Sequence, residues 1–495
     1  MAVVLPIILN RSSHRTLQDQ VFQQIVELIG SGRLPPNTRI PASRQLAAQL
    51  GVSRNTITLA YERLASEGYV TSRPATGNFV THQLPEAAAE CRATMANNAQ
   101  HAISPPIFTI RPSPHHPRAD IDFGLRLKAS LDFPTKVWRK KVMATLDSHA
   151  GRLGAYPQPS GEPRLRRAIA SWLERDRGLT CHSDEIVIVS GCQQAYTVAA
   201  QTFLKPGDRV VVESPGHLGT WQAFQPFGVE IIPVPVDEKG LIIEALPPGR
   251  VGLVCVSPSH QCPVGGILPL DRRRRLIDWA RQAGAYIIED DCNGERALCW
   301  SGAQPPSLKA LDPYGLVIYA GTFTKTMGAG LRLGYMVLPR ELAAVAGCVK
   351  EVADGGNSWL EQMSLAAMIE SGAFERHLDT LGHRWRARRD CLTETLHEVF
   401  GNPVLTGTQS GTHVAWLLPD HLPNAQFIAE MARTRGVAVH ALPSVAVSGA
   451  ASSRFTCRTL YLNYSGLEEE SIRRGIGILA DVAAGAGQEQ ARAVG

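Results

Sequence analysis

Short apolar runs alternate with amphipathic stretches through the large C-terminal part of the chain. Runs in which apolar and polar positions do not alternate are typical of strands buried on both faces of a parallel sheet, between layers of helices. The pattern therefore predicts an α/β domain over residues 119–485, followed by a short tail, 486–495. The runs that predict its strands lie within 185–191, 209–214, 252–257, 285–290 and 315–321.

The first 82 residues follow a helical pattern instead. Ser53 is well placed as the N-cap of the last helix there, because its hydroxyl oxygen can accept a hydrogen bond from the first turn. Two short helices joined by a tight turn, followed by a β wing, predict a mostly α winged helix-turn-helix over residues 1–82. The helices are predicted at 17–29, 43–50 and 54–67, and the wing strands at 68–70 and 77–80.

The segment between these two units, residues 83–118, differs from both. It contains six prolines and shows no sustained hydrophobic period. This composition predicts a semi-stiff linker, so that the two units are expected to fold independently.

The positive charge of the chain is concentrated in the N-terminal unit. Eight arginines, no lysine and four acidic residues give residues 1–82 a net charge of +4, out of +5 for the whole chain. A small basic unit joined to a nearly neutral body indicates a polyanionic partner for that unit alone.

The composition excludes several classes of protein. Hydrophobic residues make up 44% and charged residues 19% of the chain, which is typical of globular proteins and unlike disordered or fibrous ones. The longest apolar run near the start, residues 2–9, is too short to cross a bilayer, so no membrane partner is expected. Ten cysteines without a CxxC pair predict neither a disulfide framework nor a zinc ribbon, and we expect a cytoplasmic protein.

The start of the third predicted helix carries residues suited to reading DNA. Arg54, Asn55 and Thr56 lie at the end of the helix that a helix-turn-helix places in the major groove. Arg73, between the wing strands, is able to reach a phosphate group or the minor groove. A small helical unit with a few surface arginines that binds no DNA is the alternative.

The stretch GRLPPNTRIPASRQLAAQLGVSRNTITLAYERLASEGYV, with GNFV after it, resembles the winged helix-turn-helix of GntR-type bacterial repressors. The resemblance implies that the partner is double-stranded operator DNA. It further implies that Gly77 lies at the wing tip and that four residues contact the DNA, namely Arg44, Ser53, Arg54 and Thr56.

Lys325 and Asp290 are candidates for cofactor chemistry. Lys325 follows the predicted strand at 315–321 and stands among hydroxyl residues, in GTFTKT. An amine in such a position can form an imine with an aldehyde cofactor, although a surface lysine is the structural alternative. Asp290 ends the predicted strand at 285–290, where a carboxylate can keep a pyridinium nitrogen protonated.

A phosphate site is predicted where a helix follows the strand at 185–191. Backbone N–H groups at a helix N-terminus favour a phosphate, and an arginine and a threonine near Lys325 can add contacts. A lysine, a carboxylate and a phosphate site are the three groups that pyridoxal 5′-phosphate needs. The predicted phosphate-binding residues are Gly191, Cys192, Gln193, Thr322 and Arg332.

Residues 120–480 resemble the fold-type I aminotransferases, and the whole chain resembles the MocR subfamily of GntR regulators. The resemblance implies that Lys325 forms the Schiff base with the cofactor, that Asp290 contacts the pyridine nitrogen and that Arg332 contacts the phosphate. It also implies a head-to-tail homodimer. The matching motifs are AYPQPSGEPRLRRAIASWL, SGCQQA, PGDRVVVESPGH, SPSHQCPVGG, IIEDDCNGE and GTFTKTMGAGLRLGYMVLP, in this order.

Three positions around the cofactor depart from the family pattern. Cys292 stands where a tyrosine usually contacts O3′ of the cofactor, and His217 stands where a tyrosine is expected near the ring. Cys262 replaces a usual aromatic residue. By resemblance these residues and Cys192 lie near the cofactor, where they could form a thiol sensor or a metal site, or simply fill space.

A fourth departure concerns the substrate. Tyr461 occupies the position of the arginine that binds the substrate carboxylate in aminotransferases. A tyrosine hydroxyl cannot replace a bidentate guanidinium, so efficient transamination of ordinary α-amino acids is not expected unless Arg454 or Arg458 supplies the contact.

The arginine run at 272–275 begins another predicted helix. A solvated helix face is expected there rather than a second DNA site.

These observations favour a pyridoxal-phosphate-dependent transcriptional regulator that senses an amino compound, or the cofactor itself, at Lys325. An active aminotransferase with a DNA-binding extension is the first alternative, and turnover with an amino donor and a keto acceptor would distinguish it. A regulator whose large domain no longer uses the cofactor is the second. Sequence drift would then be expected to remove at least one of Lys325, Asp290 and Arg332.

Overall fold

The chain forms two compact units, Met1–Thr109 and Ile110–Gly495. A computed structural model describes residues 5–11, 13–30, 33–73, 76–82, 119–124, 132–300, 305–442 and 457–494. The predicted linker, 83–118, lies outside the described residues.

The described residues of the N-terminal unit form three helices and a two-stranded antiparallel wing, as predicted. Its elements are α1 (Leu17–Gly30), α2 (Ser43–Leu50), α3 (Arg54–Ser66), β1 (Val70–Arg73) and β2 (Gly77–Val80). Ser53 caps α3, because its Oγ accepts a hydrogen bond from the Thr56 N–H at 3.1 Å. The core buries the predicted apolar stripe of α3 against α1, and its members include Val21, Ile25, Leu46, Ile57, Ala60, Tyr61, Leu64 and Val80.

An eight-stranded sheet forms the centre of the large unit. Its order is β4-β11-β10-β9-β8-β5-β6-β7. The strands are β4 (Ile186–Val189), β5 (Arg209–Ser214), β6 (Glu230–Asp237), β7 (Gly240–Leu241), β8 (Leu253–Val256), β9 (Tyr286–Asp290), β10 (Val317–Thr322) and β11 (Gly334–Val337).

The five predicted strands run parallel to one another, but the sheet also contains two antiparallel strands that were not predicted. β11 runs antiparallel to both β10 and β4, and β7 runs antiparallel to β6. A parallel crossover needs a dozen or more residues, whereas residues 323–333 alone join β10 to β11. Because that short connection turns back at the carboxyl end of β10, it keeps Lys325 and Arg332 at the same edge of the sheet.

Helices cover both faces of the sheet. Along β4, Ile186 and Ile188 pack into one core, whereas Val187 and Val189 pack into another. The surrounding helices are α4 (Thr135–His149), α5 (Pro163–Arg177), α6 (Cys192–Phe203), α7 (Leu218–Phe224), α8 (Leu270–Ala283), α9 (Leu308–Leu311), α10 (Thr324–Met327), α11 (Arg340–Asp354) and α12 (Trp359–Glu370).

A smaller α/β layer completes the large unit. Its antiparallel sheet has the order β12-β13-β16-β15, and a two-stranded parallel sheet pairs β14 with β3. Its elements are β3 (Ile121–Asp122), α13 (Ala373–Phe400), β12 (Val404–Thr406), β13 (His413–Leu417), α14 (Ala425–Thr434), β14 (Val437–Ala438), β15 (His440–Ala441), β16 (Thr459–Asn463) and α15 (Glu469–Val494).

The arginine run on α8 is only partly the solvated face that was expected, because Arg274 and Arg275 are exposed but Arg272 and Arg273 are not. Arg273 is fully buried and donates hydrogen bonds to the carbonyl oxygens of Leu268 and Pro258, at 2.8 and 2.7 Å. Arg272 pairs with Asp237 at 2.7 Å. These arginines therefore hold α8 to neighbouring loops, a role that a charge run alone does not reveal.

No helix among the described residues is long and apolar enough to span a bilayer.

Candidate functional site

One cavity of about 230 Å³ lies at the carboxyl ends of β9 and β10, beside the N-terminus of α6. All nine predicted cofactor-binding residues line it, together with Cys262 and Tyr461. Residues separated by up to 270 positions in the chain are thus brought into one pocket. The nine are Gly191, Cys192, Gln193, His217, Asp290, Cys292, Thr322, Lys325 and Arg332.

A cradle for an anion surrounds Gly191, the N-cap of α6. Gly191 has a φ of +96°, which favours glycine. A Cβ atom placed there would lie 3.6–3.7 Å from Thr324 Oγ1, Thr322 Oγ1 and an Arg332 guanidinium nitrogen. Three polar groups therefore converge on the space that the missing side chain leaves, above the N–H groups of the first helical turn.

Two features orient the cradle. Thr322 Oγ1 donates a hydrogen bond to Thr324 Oγ1 at 2.9 Å and accepts one from the Thr324 N–H at 3.1 Å. Arg332 has a φ of +49°, a left-handed conformation that is uncommon for residues other than glycine. The side-chain amide of Gln193 donates to the Gly219 carbonyl at 2.9 Å.

Asp290 ends β9 at the base of the pocket, and its carboxylate already accepts several hydrogen bonds. The Tyr196 hydroxyl donates to Oδ2, while the thiols of Cys192 and Cys292 lie on Oδ1. Tyr196 stands one turn after Cys192 on α6, so both side chains point to the same side of the helix. These donors hold the carboxylate in place and keep it an acceptor.

A buried ion pair lies directly behind Asp290. Arg177 contacts Asp291 at 2.8 Å, with 4% and 0% of the two side chains exposed. The Tyr319 hydroxyl also donates to Asp291, at 2.5 Å. Although burial opposes ionisation, the Arg177 guanidinium holds the pKa of Asp291 below its usual value. The pair fixes the loop that follows β9.

Cys192 and Cys292 lie side by side, with their sulfur atoms 2.9 Å apart. A hydrogen bond with Cys292 lowers the pKa of Cys192, but burial and the Asp290 carboxylate raise it to about 11. Both thiols are therefore protonated at neutral pH. With Asp290 they form a set of two sulfur ligands and one carboxylate, so the redox and metal hypotheses stay predictions.

A second part of the pocket is lined by His260, His413 and Tyr461. His260 Nε2 lies 3.1 Å from His413 Nδ1, and the His413 ring lies 4.4 Å from the Tyr461 ring, centroid to centroid. Burial lowers the pKa of His260 to about 3 and the pKa of His413 well below its usual range. Both imidazoles are therefore neutral.

Arg458, another candidate effector residue, does not line this pocket. The Arg458 guanidinium donates to the carbonyl oxygens of Leu418, Pro419 and Leu422, at 3.1 Å for Leu418 and 2.7 Å for Leu422. In this structure the donors of Arg458 therefore hold another loop, and a carboxylate contact from this residue stays a prediction. Arg454 lies outside the described residues.

The predicted DNA-contacting residues lie on the surface of the N-terminal unit. Arg44, Arg54 and Asn55 are exposed, and Thr56 is half-buried at the start of α3. Ser53 is exposed as well, but its hydroxyl is occupied as the N-cap.

The wing departs from its prediction in one detail. Arg73 ends β1 rather than lying between the strands, and its guanidinium stacks 4.5 Å from the Phe79 ring centroid. Gly77 has a φ of +107°, and a Cβ there would lie 3.2 Å from Arg39 Nε. Arg39 is a basic wing residue that the sequence analysis missed.

Comparisons with known proteins agree with both units. Residues 17–80 match the family of bacterial regulatory proteins described as the gntR family, and residues 125–461 match aminotransferase class I and II. The HTH-type transcriptional regulator YhdI of Bacillus subtilis is 32% identical over 94% of this chain and 96% of its own. The probable regulatory protein MocR of Rhizobium meliloti is 30% identical over 77% of this chain and 78% of its own.

The chain is a MocR-type member of the GntR family of regulators. Its large unit also matches the crystal structure of Pyrococcus horikoshii kynurenine aminotransferase, with a TM-score of 0.70 and 27% identity over 79% of this chain and 99% of that one. That structure is described as a complex with PMP, the amine form of the cofactor. The regulator thus joins a DNA-binding winged helix to a fold-type I domain whose cofactor is pyridoxal phosphate.

Several functional residues were missed by sequence reasoning. Tyr196 was detectable, because it lies one helical turn from a predicted site residue. Thr324 was detectable too, as a hydroxyl beside Lys325. His260 and His413 gave no such signal, since only the fold brings two residues so distant in sequence into contact.

Proposed function

We propose that this regulator binds operator DNA through its winged helix and senses an amino compound, or pyridoxal phosphate itself, through Lys325. The observation that carries the proposal is the convergence of Lys325, Asp290 and the Gly191 cradle in one cavity. The same chain carries a winged helix, which supports a regulatory use of this site.

The residues present fit the cofactor. The cradle of Gly191, Thr322, Thr324 and Arg332 would hold the phosphate, and Asp290 would hold the pyridine nitrogen. When bound, pyridoxal phosphate would supply an electrophilic aldehyde, which reacts reversibly with primary amines. The neighbours of Asp290 keep it in place, and buried side chains exclude water from the base of the pocket.

The sensing step has a plain physical basis. A free amine that displaces the Lys325 amine releases that side chain from the cofactor. A ligand shifts a conformational equilibrium only as far as its affinities for the two states differ. Here the two states would differ in the position of the Lys325 side chain. In a head-to-tail homodimer such a shift would move two winged helices relative to their half-sites.

Replacement of Lys325 by alanine tests the proposal. Lys325→Ala should bind operator DNA but lose its response to added pyridoxal phosphate or amines, because the covalent exchange needs the lysine amine. Fluorescence anisotropy with a labelled operator fragment measures both properties. Lys309→Ala, on the large unit but absent from the cavity lining, is the matched control. A full response in Lys325→Ala would contradict covalent sensing.

An active aminotransferase is the second candidate, because the cofactor site is complete. It predicts conversion of an amino donor and a keto acceptor at the rate of an enzyme, several turnovers per second. Tyr461 in the pocket argues against it for α-amino acids. A coupled keto-acid assay decides between the two candidates.

A further inference from the structure

The two basic side chains that line the pocket already have other roles. Among the lining residues that the structure describes, Lys325 and Arg332 are the basic side chains other than histidines. Lys325 is the amine that reacts, and Arg332 lies at the cradle, 3.7 Å from the Cβ position of Gly191. Asp290 adds a negative charge to the same cavity. A second anionic group on the ligand would therefore meet no free cation on this lining.

The histidines do not offer a free donor either. His413 Nε2 lies 3.2 Å from the Pro263 carbonyl, which only accepts, so this nitrogen carries the proton. His413 Nδ1 then accepts from His260 Nε2. His260 Nδ1 lies 3.2 Å from the Ser410 hydroxyl, which donates to the Ser259 carbonyl at 3.3 Å. With both rings neutral, each ring N–H already has a protein acceptor, so neither ring has a free N–H to offer.

Charging His413 would disrupt this hydrogen-bonded pair. A proton added at His413 Nδ1 would face the His260 Nε2–H across their 3.1 Å contact. Burial opposes a charge on either ring, so the pair is neutral and supplies no cation to an anionic ligand.

The surface that remains is aromatic and uncharged. Tyr461 is 1% exposed, and its ring packs on His413 at an interplanar angle of 31°. Such a wall favours apolar groups and penalises a desolvated carboxylate. Arg458 adds no charge here, because three carbonyl oxygens hold its guanidinium.

We infer that the amine recognised at Lys325 carries no carboxylate, and is a primary amine with an uncharged, apolar remainder. Tyr461, His413 and His260 determine this specificity. The inference rests on the proposed function, since it concerns the amine that reacts there.

Matched pairs of ligands test it on the full-length protein with pyridoxal phosphate bound. The pairs are 2-phenylethylamine with phenylalanine and 3-methylbutylamine with leucine, which differ by the carboxylate alone. Each is titrated while the cofactor absorption and the anisotropy of labelled operator DNA are recorded. We expect each amine to act at a concentration about 100-fold lower than its amino acid, since an unpaired buried charge is worth at least two powers of ten.

A gain-of-charge variant gives a second reading. Tyr461→Arg should shift the preference at least tenfold toward the amino acids, because it places a guanidinium in the pocket. Val404→Arg adds the same charge at an exposed position of the same layer and should keep the wild-type preference.

The outcomes separate the two claims. Amino acids acting as well as the amines would overturn the inference alone. If alanine at Arg454 then removed the amino-acid response, the carboxylate partner would be that residue. Absence of any response to the amines would overturn the inference, and absence of a DNA-binding response to added pyridoxal phosphate as well would overturn the sensing function.

Discussion

The buried ion pair behind Asp290 gives the sharpest stability prediction. Replacing Arg177 with methionine keeps most of the side-chain volume but leaves the Asp291 carboxylate buried without its cation. The two groups meet at 2.8 Å, and 4% and 0% of their side chains are exposed. Removing one partner of such a pair lowers stability by about 3–5 kcal/mol, because the remaining charge stays desolvated. We expect that loss in the large unit.

The same helix provides a matched control. Arg175 on α5 pairs with Glu375 at 2.7 Å, but 57% and 32% of these side chains are exposed. Water and salt screen such a pair, so Arg175→Met should lower the free energy of unfolding by less than about 1 kcal/mol. Both variants are compared with the wild type in urea, with circular dichroism as the signal.

Acid provides an independent reading of the same pair. Arg177 holds the pKa of Asp291 below its unfolded value, so the stabilisation is present above about pH 4 and is lost as the pH falls through the lower, folded pKa. The deficit of Arg177→Met should therefore shrink in acid. A deficit below about 1 kcal/mol at pH 7, equal to that of Arg175→Met, would refute the argument.

Three further predictions concern other parts of the molecule. Arg54→Ala should weaken operator binding and reduce the slope of log affinity against log salt by about one if it contacts a phosphate, whereas Arg386→Ala on the large unit should change neither. Ser53→Ala removes the hydroxyl that caps α3 and should lower the stability of the N-terminal unit by about 0.5–2 kcal/mol in thermal unfolding; no change would show that the cap is dispensable. Burial raises the pKa of Glu213 to about 8, so wild-type stability should fall by up to about 1.4 kcal/mol per pH unit between pH 4.5 and 8. Glu213→Gln should flatten this dependence, and an unchanged slope would contradict it.

The elements that sequence patterns predicted best are those with local causes. Buried strands such as β9 and β10 appear as apolar runs, and the cap at Ser53 follows from one residue type beside a helix. β11 was not among the predicted strands, and its antiparallel direction depends on the length of the loop before it. That same loop carries Lys325 and Arg332. Both residues were therefore predicted, but the turn that places them at the same edge of the sheet was not.

The site was predicted where a residue's chemistry is unusual and missed where it is ordinary. A lysine at a strand end and a carboxylate at another are conspicuous in sequence. Neutral histidines are not, and His260 and His413 gain their role only from a contact across 153 positions. Arg273 is likewise buried, although the charge run predicted a solvated helix face there.

Covalent attachment of the cofactor at Lys325 is the central claim, and borohydride reduction tests it most directly. The purified protein is reconstituted with pyridoxal phosphate, reduced, digested and analysed by peptide mass spectrometry, with an absorption spectrum before and after. We predict an absorption band near the visible edge that reduction removes, and a cofactor-sized mass fixed on the peptide that contains Lys325. A colourless protein, or a label on other lysines alone, would contradict the account and leave the winged helix as its surviving part.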